Sequence, residues 1–320
     1  MDLVDVLKKK IDILDDGEHR PGLKAVLLHI ETAFRHLSRG QDGDDDTAFT
    51  DAIYRTNQAF EGSVKEAYRV LTGNEPSKKR PYDIESYLEK NNIFRPRVLS
   101  QLTNYRTEWR NPSAHDYKLD FDESEAFLAI VSVSAFACLL LDQISERLSF
   151  MKSQAEADAQ KAVLLASLKQ TKNADLIVKA SELLSEFCAS HMPFEDSGRL
   201  TETQVLGALH GFLASVAPEL KVETEVSLGE VRHFRADLVI TQGAEKLVVE
   251  LRRSTMRQHH SDSILQLERY LFVSSINSGI VLFYPDAPHR MEKFNIVTSN
   301  PEYKLVVLAP LGGLPTFRNI

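Results

Sequence analysis

The chain has 320 residues, 43% hydrophobic and 26% charged, with 38 Lys and Arg against 46 Asp and Glu and a formal net charge of −8. That length suits two domains of about 100–200 residues each. Two cysteines, Cys138 and Cys188, exclude a disulfide scaffold and point to buried thiols in a reducing cytoplasm. The acidic balance excludes a protein that coats nucleic acid indiscriminately, so a nucleic-acid site would be a local basic cleft.

The opening residues, MDLVDVLKKK, lack the charged start and apolar core of a secretory signal. Leu3, Leu7, Ile11 and Leu14 then recur at helical spacing up to Gly17. Pro21 suits the start of a second helix, with Leu23, Leu27, Ile30, Phe34 and Leu37 as its stripe and Gly40 at its end. Residues 42–46 read as a solvated acidic loop. A long helix follows, carrying Phe49, Ile53, Phe60, Val64, Ala67 and Leu71, with Gly73 as terminator. Residues 74–82 hold Pro76, Lys78, Lys79, Arg80 and Pro81 and form a basic loop. A short helix is expected around Ile84–Leu88, and another through Val98, Leu99, Leu102, Tyr105 and Trp109, running into Arg110. Asp122 and Glu125 fit a capping box opening a helix that reaches about Phe150. Its apolar run, Ala126–Leu141, is shorter than the roughly 20 residues of a membrane span, so a buried core helix is expected and no membrane contact.

Residues 1–150 therefore read as an all-helical bundle and 151–192 as a helical connector rich in Ala, Lys and Glu. Residues 193–320 change pattern. A helix over 201–216 precedes strands at Lys221–Leu228, Arg232–Ile240 and Lys246–Arg252, then a helix over Ser261–Ile276 and strands at Ile280–Tyr284 and Leu305–Leu308. The fold class is an α bundle followed by an α/β domain with a mixed sheet. Neither a phosphate-binding Gly-rich loop nor a Cys/His zinc cluster is present in the sequence.

Two places carry chemistry. In the stretch Trp109-Arg110-Asn111-Pro112-Ser113-Ala114-His115, Pro112 disfavours helical geometry at Asn111. The helix is expected to end near Arg110 and the chain to fold back, bringing His115 toward it. A histidine titrates near neutrality and can take a 2′-hydroxyl proton. An arginine stays charged and forks onto phosphate oxygens, and Asn111 can orient either. The plainer alternative is an arginine closing a helix C-terminus, with a surface histidine in the next loop. The stretch resembles the HEPN family of helical ribonucleases, whose motif is Arg-x4-6-His, often with a polar residue after the arginine. The match is Arg110, Asn111 and His115, placed between the last two long helices of the bundle, and it covers about residues 1–150. The resemblance implies a metal-independent endoribonuclease acting as a homodimer, with no cofactor at this site.

The second place is a hairpin. Glu250 and Arg252 share a strand face opposite Leu247, Val249 and Leu251, and Asp237 on the neighbouring strand faces away from Leu238 and Ile240. Two carboxylates meeting across a strand pair can hold Mg²⁺, which can activate water against a phosphodiester. The alternative is a surface hairpin with ordinary salt bridges. Asp237 followed by Glu250-Leu251-Arg252 resembles the PD-(D/E)xK restriction-endonuclease-like superfamily over about residues 199–310. Glu202 stands where some members carry another acid, and Gln266 and Tyr270 resemble a pattern of the following helix. The departures are Ala236 in place of proline and Arg252 in place of lysine; an arginine does not readily shed a proton. Arg232, Arg235, Arg253 and Arg257, with His259 and His260, supply local positive charge for nucleic acid.

The leading expectation is a cytoplasmic nuclease effector of the bacterial antiviral or toxin kind, with RNA, and in one reading DNA, as substrate. Its C-terminal domain would bind nucleic acid or cut it with Mg²⁺ at Asp237 and Glu250. One alternative is a Mg²⁺-dependent C-terminal DNase with a dimerising bundle. The other is a non-catalytic nucleic-acid-binding adaptor. The motifs name no restraining or activating protein partner.

Overall fold

Helices α1 (Leu3–Asp12), α2 (His19–Gln41) and α3 (Thr47–Thr72) form because each repeats apolar residues at helical spacing, and each turns that stripe inward. In this computed structural model the described residues are 2–43, 45, 47–115, 118–168, 174–193, 200–229, 234–254 and 260–312, without the side chains of Ser167 and His260. Helices α4 (Pro81–Lys90) and α5 (Pro96–Tyr105) each begin on a proline, whose missing N–H costs nothing at that position. A π-helical turn (Arg106–Arg110) continues α5 directly into the short helix α6 (Asn111–His115). Helix α7 (Glu123–Ser167) opens with the expected capping box. The Asp122 amide donates to Glu125 Oε2, and the Glu125 amide to Asp122 Oδ1, each at 2.9 Å.

The bundle core is drawn together by Phe60 of α3. Its ring stacks on Tyr105 of α5 at 4.8 Å and tilts against Phe136 of α7 at 5.2 Å. The apolar run of α7 is buried through Ala126, Ile130, Val133, Phe136, Ala137, Leu140 and Leu141. By length and composition alone α7 would qualify as a membrane span, but this face is core to the bundle.

The chain divides into two units, 1–148 and 149–320, and the boundary falls inside α7. This corrects the expected end of that helix near Phe150 and the expected separate connector over 151–192. Helix α8 (Leu176–Glu186) and the π-helical turn Phe187–His191 bury Leu176, Leu183, Leu184, Phe187 and Cys188 in the core beneath the sheet. Those apolar residues need a partner surface, which an exposed bridge would not provide.

The second unit is built on a six-stranded mixed sheet. Helix α9 (Glu202–Val216) leads into β1 (Lys221–Ser227), β2 (Arg235–Gln242) and β3 (Glu245–Arg253), an antiparallel meander. At the β2–β3 turn Gln242 pairs with Glu245 and Gly243 takes a φ of 59°, which a side chain would resist. Helix α10 (His260–Ser274) then crosses to β4 (Ser278–Tyr284), parallel to β3. Strands β5 (Met291–Ile296) and β6 (Lys304–Pro310) complete the order β1-β2-β3-β4-β6-β5. Leu247, Val249 and Leu251 face the core that holds α8 and α9, while Val248 faces the core that holds α10, as strand alternation requires. Strand β5 was not anticipated. Its short MEKFNI run has no fully buried residue, and edge pairing to β6 makes it a strand.

Helix α9 lies close against the α7 backbone at Gly211. A Cβ there would collide with the Phe150 carbonyl and sit 3.0 Å from the Gln154 nitrogen. Ser153 Oγ donates to the Ala208 carbonyl at 2.6 Å along the same seam. Helix propensity alone favours alanine over glycine by about 1 kcal/mol. The backbone contact outweighs it, because neither backbone can yield. Gly211→Ala is expected to destabilise the second unit by about 2 kcal/mol or more, seen as a lower unfolding midpoint; a rise in midpoint would contradict this packing.

Candidate functional site

The first candidate site rests on a helix that does not break where its proline suggests. Asn111 has φ −71° and ψ −46°, within helical space, and its amide donates to the Arg106 carbonyl in π-helical register. The wide turn accommodates Pro112, which has no N–H to give and whose ring would crowd a tight α-turn. The expected chain reversal after Arg110 is therefore corrected: Arg106 through His115 is continuously helical.

Helix α3 anchors this segment from one side. The Tyr105 hydroxyl lies 2.7 Å from Thr56 Oγ1 and 3.0 Å from Asn57 Oδ1. Asn57 Nδ2 donates to Ser113 Oγ at 2.8 Å, and Ser113 Oγ lies 2.7 Å from the Trp109 carbonyl. Burial holds the Tyr105 phenol protonated well above its ordinary range. With Ser113 turned inward, Asn111 and His115 lie near the opposite side of α6, four residues apart and hence neighbours on one face. Arg110 reaches this face through its own neighbour, since its Nη1 donates to Asn111 Oδ1 at 3.0 Å. Its Nη2 is 3.6 Å from Glu61 of α3, a half-exposed carboxylate. His115 is exposed. So Asn111 bonds the cation and shares a helix face with His115, and the expected return of His115 toward Arg110 is not made by the backbone. Asn57 and Glu61 were not anticipated, because their positions on the long α3 carry no sign of which segment they face, and Tyr105 was expected only as part of an apolar stripe.

Helix α4 adds a second layer. Arg106 Nη1 lies 2.7 Å from Glu89 and 3.2 Å from Glu85. Burial pushes the Glu85 carboxyl up, opposed by Arg106 and then by the Arg110 charge.

The second candidate site brings Asp237, Glu250 and Arg252 together, as expected. They lie at the start of β2 and the end of β3 on the face that holds α10. Arg252 Nη2 lies 2.9 Å from Glu250 Oε2 and also donates to Gln266 Oε1 at 2.9 Å, while Nη1 is 3.8 Å from Asp237 Oδ2. The Leu251 amide donates to Asp237 Oδ2 at 2.7 Å, and Gln266 Nε2 lies 2.6 Å from the Tyr270 hydroxyl. Glu250 is 1% exposed, and its Oε1 has no hydrogen-bond partner among the described residues. Burial, then the like charge of Asp237, pushes the Glu250 carboxyl up. Burial does the same to Asp237 and, more simply, to Glu202. Glu225 lies between the Thr224–Leu238 and Val226–Ala236 pairs with a φ of 56°, a strained backbone beside this cluster.

These residues do not fit Mg²⁺ as they stand. The guanidinium of Arg252 already occupies the cation position against both carboxylates. Among the described residues no three His, Cys, Asp or Glu side chains assemble as a ligand set. The arginines expected to hold nucleic acid are also partly committed. Arg235 pairs with Glu225 at 2.7 Å, and Arg253 bonds the Leu200 carbonyl and lies 3.5 Å from Asp286. Arg232, Arg257 and His259 lie outside the described residues, as does the side chain of His260.

No family model matches the chain, and neither a curated protein nor a solved structure does.

The raised Glu250 pKa has a stability consequence. A buried carboxyl with a raised folded-state pKa favours folding below its unfolded pKa, and that advantage is lost as pH rises through the folded value. The unfolding midpoint of the second unit should therefore fall from about pH 5 to about pH 9. Glu250→Gln, which keeps an acceptor for Arg252, should flatten that fall, worth on the order of 1–2 kcal/mol at the alkaline end. Parallel curves for wild type and variant would refute the assignment.

Proposed function

We propose that the chain is a metal-independent endoribonuclease with a HEPN-like bundle, and that Arg110, Asn111 and His115 cut RNA. The observation that carries this is the Arg110–Asn111 bond at 3.0 Å beside a face shared by Asn111 and His115. In this reading the permanent cation and the exposed His115 imidazole act together on one phosphodiester. In this reaction His115 takes the proton of a 2′-hydroxyl, and the 2′-oxygen attacks phosphorus. The 5′-oxygen leaves and is protonated by water or by a second imidazole. Arg110 meets the charge that builds on the non-bridging oxygens. The products are a 2′,3′-cyclic phosphate and a 5′-hydroxyl. A homodimer would set two such motifs on one cleft. Two free thiols accord with a reducing cytoplasm.

The α9, three-strand meander, α10, parallel β4 order supports a restriction-endonuclease-like reading of the second unit. With Arg252 seated on the acids, its role in this reading is to recognise nucleic acid and not to cut it. An antiviral or toxin-type effector role follows by analogy with such fusions. The test is incubation of the purified protein with single-stranded RNA, with and without EDTA. Cleavage that survives EDTA and leaves cyclic phosphate ends is expected; absence of cleavage, or cleavage that EDTA abolishes, would reject the proposal.

A further inference from the structure

The loop between α3 and α4 has no part in the Arg110 motif, yet it gathers charge that the chain as a whole lacks. Lys78, Lys79 and Arg80 stand exposed in succession on a protein of net charge −8. The loop is held in shape from beneath. Pro76 is buried at its base, and Glu75 accepts from the Ser77 amide at 3.0 Å while pairing with Arg69 at 2.6 Å. The Lys79 amide donates to the Pro76 carbonyl at 3.0 Å, and the Asp83 amide to the Arg80 carbonyl at 3.0 Å. Lys79 Nζ lies 5.9 Å from the Tyr68 ring centre, and the Lys79 residue is exposed. Just beyond, in the first turn of α4, Tyr82 is 75% exposed. Glu75 is spent on Arg69, so Asp83 is the exposed carboxylate set against three cations in this turn.

Position ties the loop to the first site. On α4, Tyr82, Glu85 and Glu89 share one face at spacings of three and four. Glu89 and Glu85 both reach Arg106, and Glu85 also feels the charge of Arg110. Stepping from Glu89 through Glu85 to Tyr82 thus follows the step from Arg106 to Arg110, and the basic loop continues past it.

We propose that Lys78, Lys79, Arg80 and Tyr82 form a docking surface for single-stranded RNA, the cations meeting backbone phosphates and the Tyr82 ring stacking on an unpaired base. The link to cleavage rests on the ribonuclease reading of Arg110; the binding does not. An exposed aromatic ring beside a row of cations suits a single strand, whose bases are free to stack, and not a duplex, whose bases are stacked on each other.

The probe is a short fluorescent single-stranded RNA with 2′-O-methyl sugars throughout, which leave no 2′-hydroxyl to attack, titrated with full-length protein over a salt series. For single strands the salt slope changes by about 0.7 per phosphate contact. Lys78→Ala/Lys79→Ala/Arg80→Ala should lower it by about 2 and weaken binding at least about tenfold at low salt. Tyr82→Ala should weaken binding by about tenfold, and Tyr82→Phe should bind as wild type does. An unchanged slope in the triple variant, or equal loss in Tyr82→Phe and Tyr82→Ala, overturns the proposal. So does wild-type binding to phosphatidylserine vesicles in place of RNA. Because the probe cannot be cut, a wild type that binds but never cleaves natural RNA rejects the ribonuclease reading alone. All four side chains are exposed, and an unchanged unfolding midpoint checks that the variants fold.

Discussion

Arg110→Ala and His115→Ala should each reduce EDTA-resistant RNA cleavage by about a hundredfold to ten-thousandfold, with the helical content of the bundle unchanged. Removing His115 leaves the 2′-hydroxyl without a base. Removing Arg110 leaves the phosphate charge unmet and also frees Glu61, whose carboxylate lies 3.6 Å from the guanidinium and would then repel the substrate. The two residues act in one step, so the double variant should be little worse than either single one. Arg110→Lys should not restore the rate, because an ammonium does not present the planar fork that bonds Asn111 and two phosphate oxygens together. Asn111→Ala should have a smaller effect, since Asn111 positions the reacting groups without exchanging a proton. The decisive measurement is the single-turnover rate on a defined RNA. Variants that cut at the wild-type rate would remove these side chains from the chemistry.

The second large effect belongs to Arg252. Arg252→Ala leaves Asp237 and Glu250 facing each other in a buried site with no cation between them. Breaking a buried pair from one side costs about 3–5 kcal/mol, or roughly 6–20 °C in the unfolding midpoint of a unit this size. The loss should be greatest above neutral pH, where protonation no longer relieves the repulsion; burial and the like charge that push Glu250 up are the reason. Arg252→Met combined with Glu250→Gln should recover much of the stability, because the charge is removed along with its partner. Magnesium supplies the sharper test. The wild-type midpoint should be indifferent to it, since the guanidinium fills the cation position. The midpoint of Arg252→Ala should rise with Mg²⁺ as the vacated acids gain a ligand. A wild-type midpoint that rises with Mg²⁺ would show that Arg252 moves aside and would return the metal-dependent nuclease reading to the second unit.

Much of the architecture was legible in the residues because it follows from local periodicity. The stripes of α1 to α3, the Asp122–Glu125 capping box, and the alternation that puts Glu250 and Arg252 on one side of β3 with Leu247 and Val249 on the other need no partner to be read. The types of residue at both candidate sites were likewise visible: an arginine, an amide and a histidine in one short stretch, and two acids with an arginine across a hairpin.

What the tertiary structure alone decided were the relations between segments. Pro112 predicted a break, yet a π-helical turn absorbs it, because α3 holds Ser113 through Asn57 and keeps the chain helical. Arg110 is consequently held by the Asn111 side chain, on the face that carries His115, and the backbone does not reverse. The edge strand β5 and the absorption of α8 into the second core depended on surfaces far away in the chain. Arg252 could be read as an anomalous residue, but that it sits between Glu250 and Asp237 and neutralises them depended on three elements folding together. Periodicity is a property of neighbours in sequence, whereas burial and the pairing of charges arise only when distant segments share the same low-dielectric space.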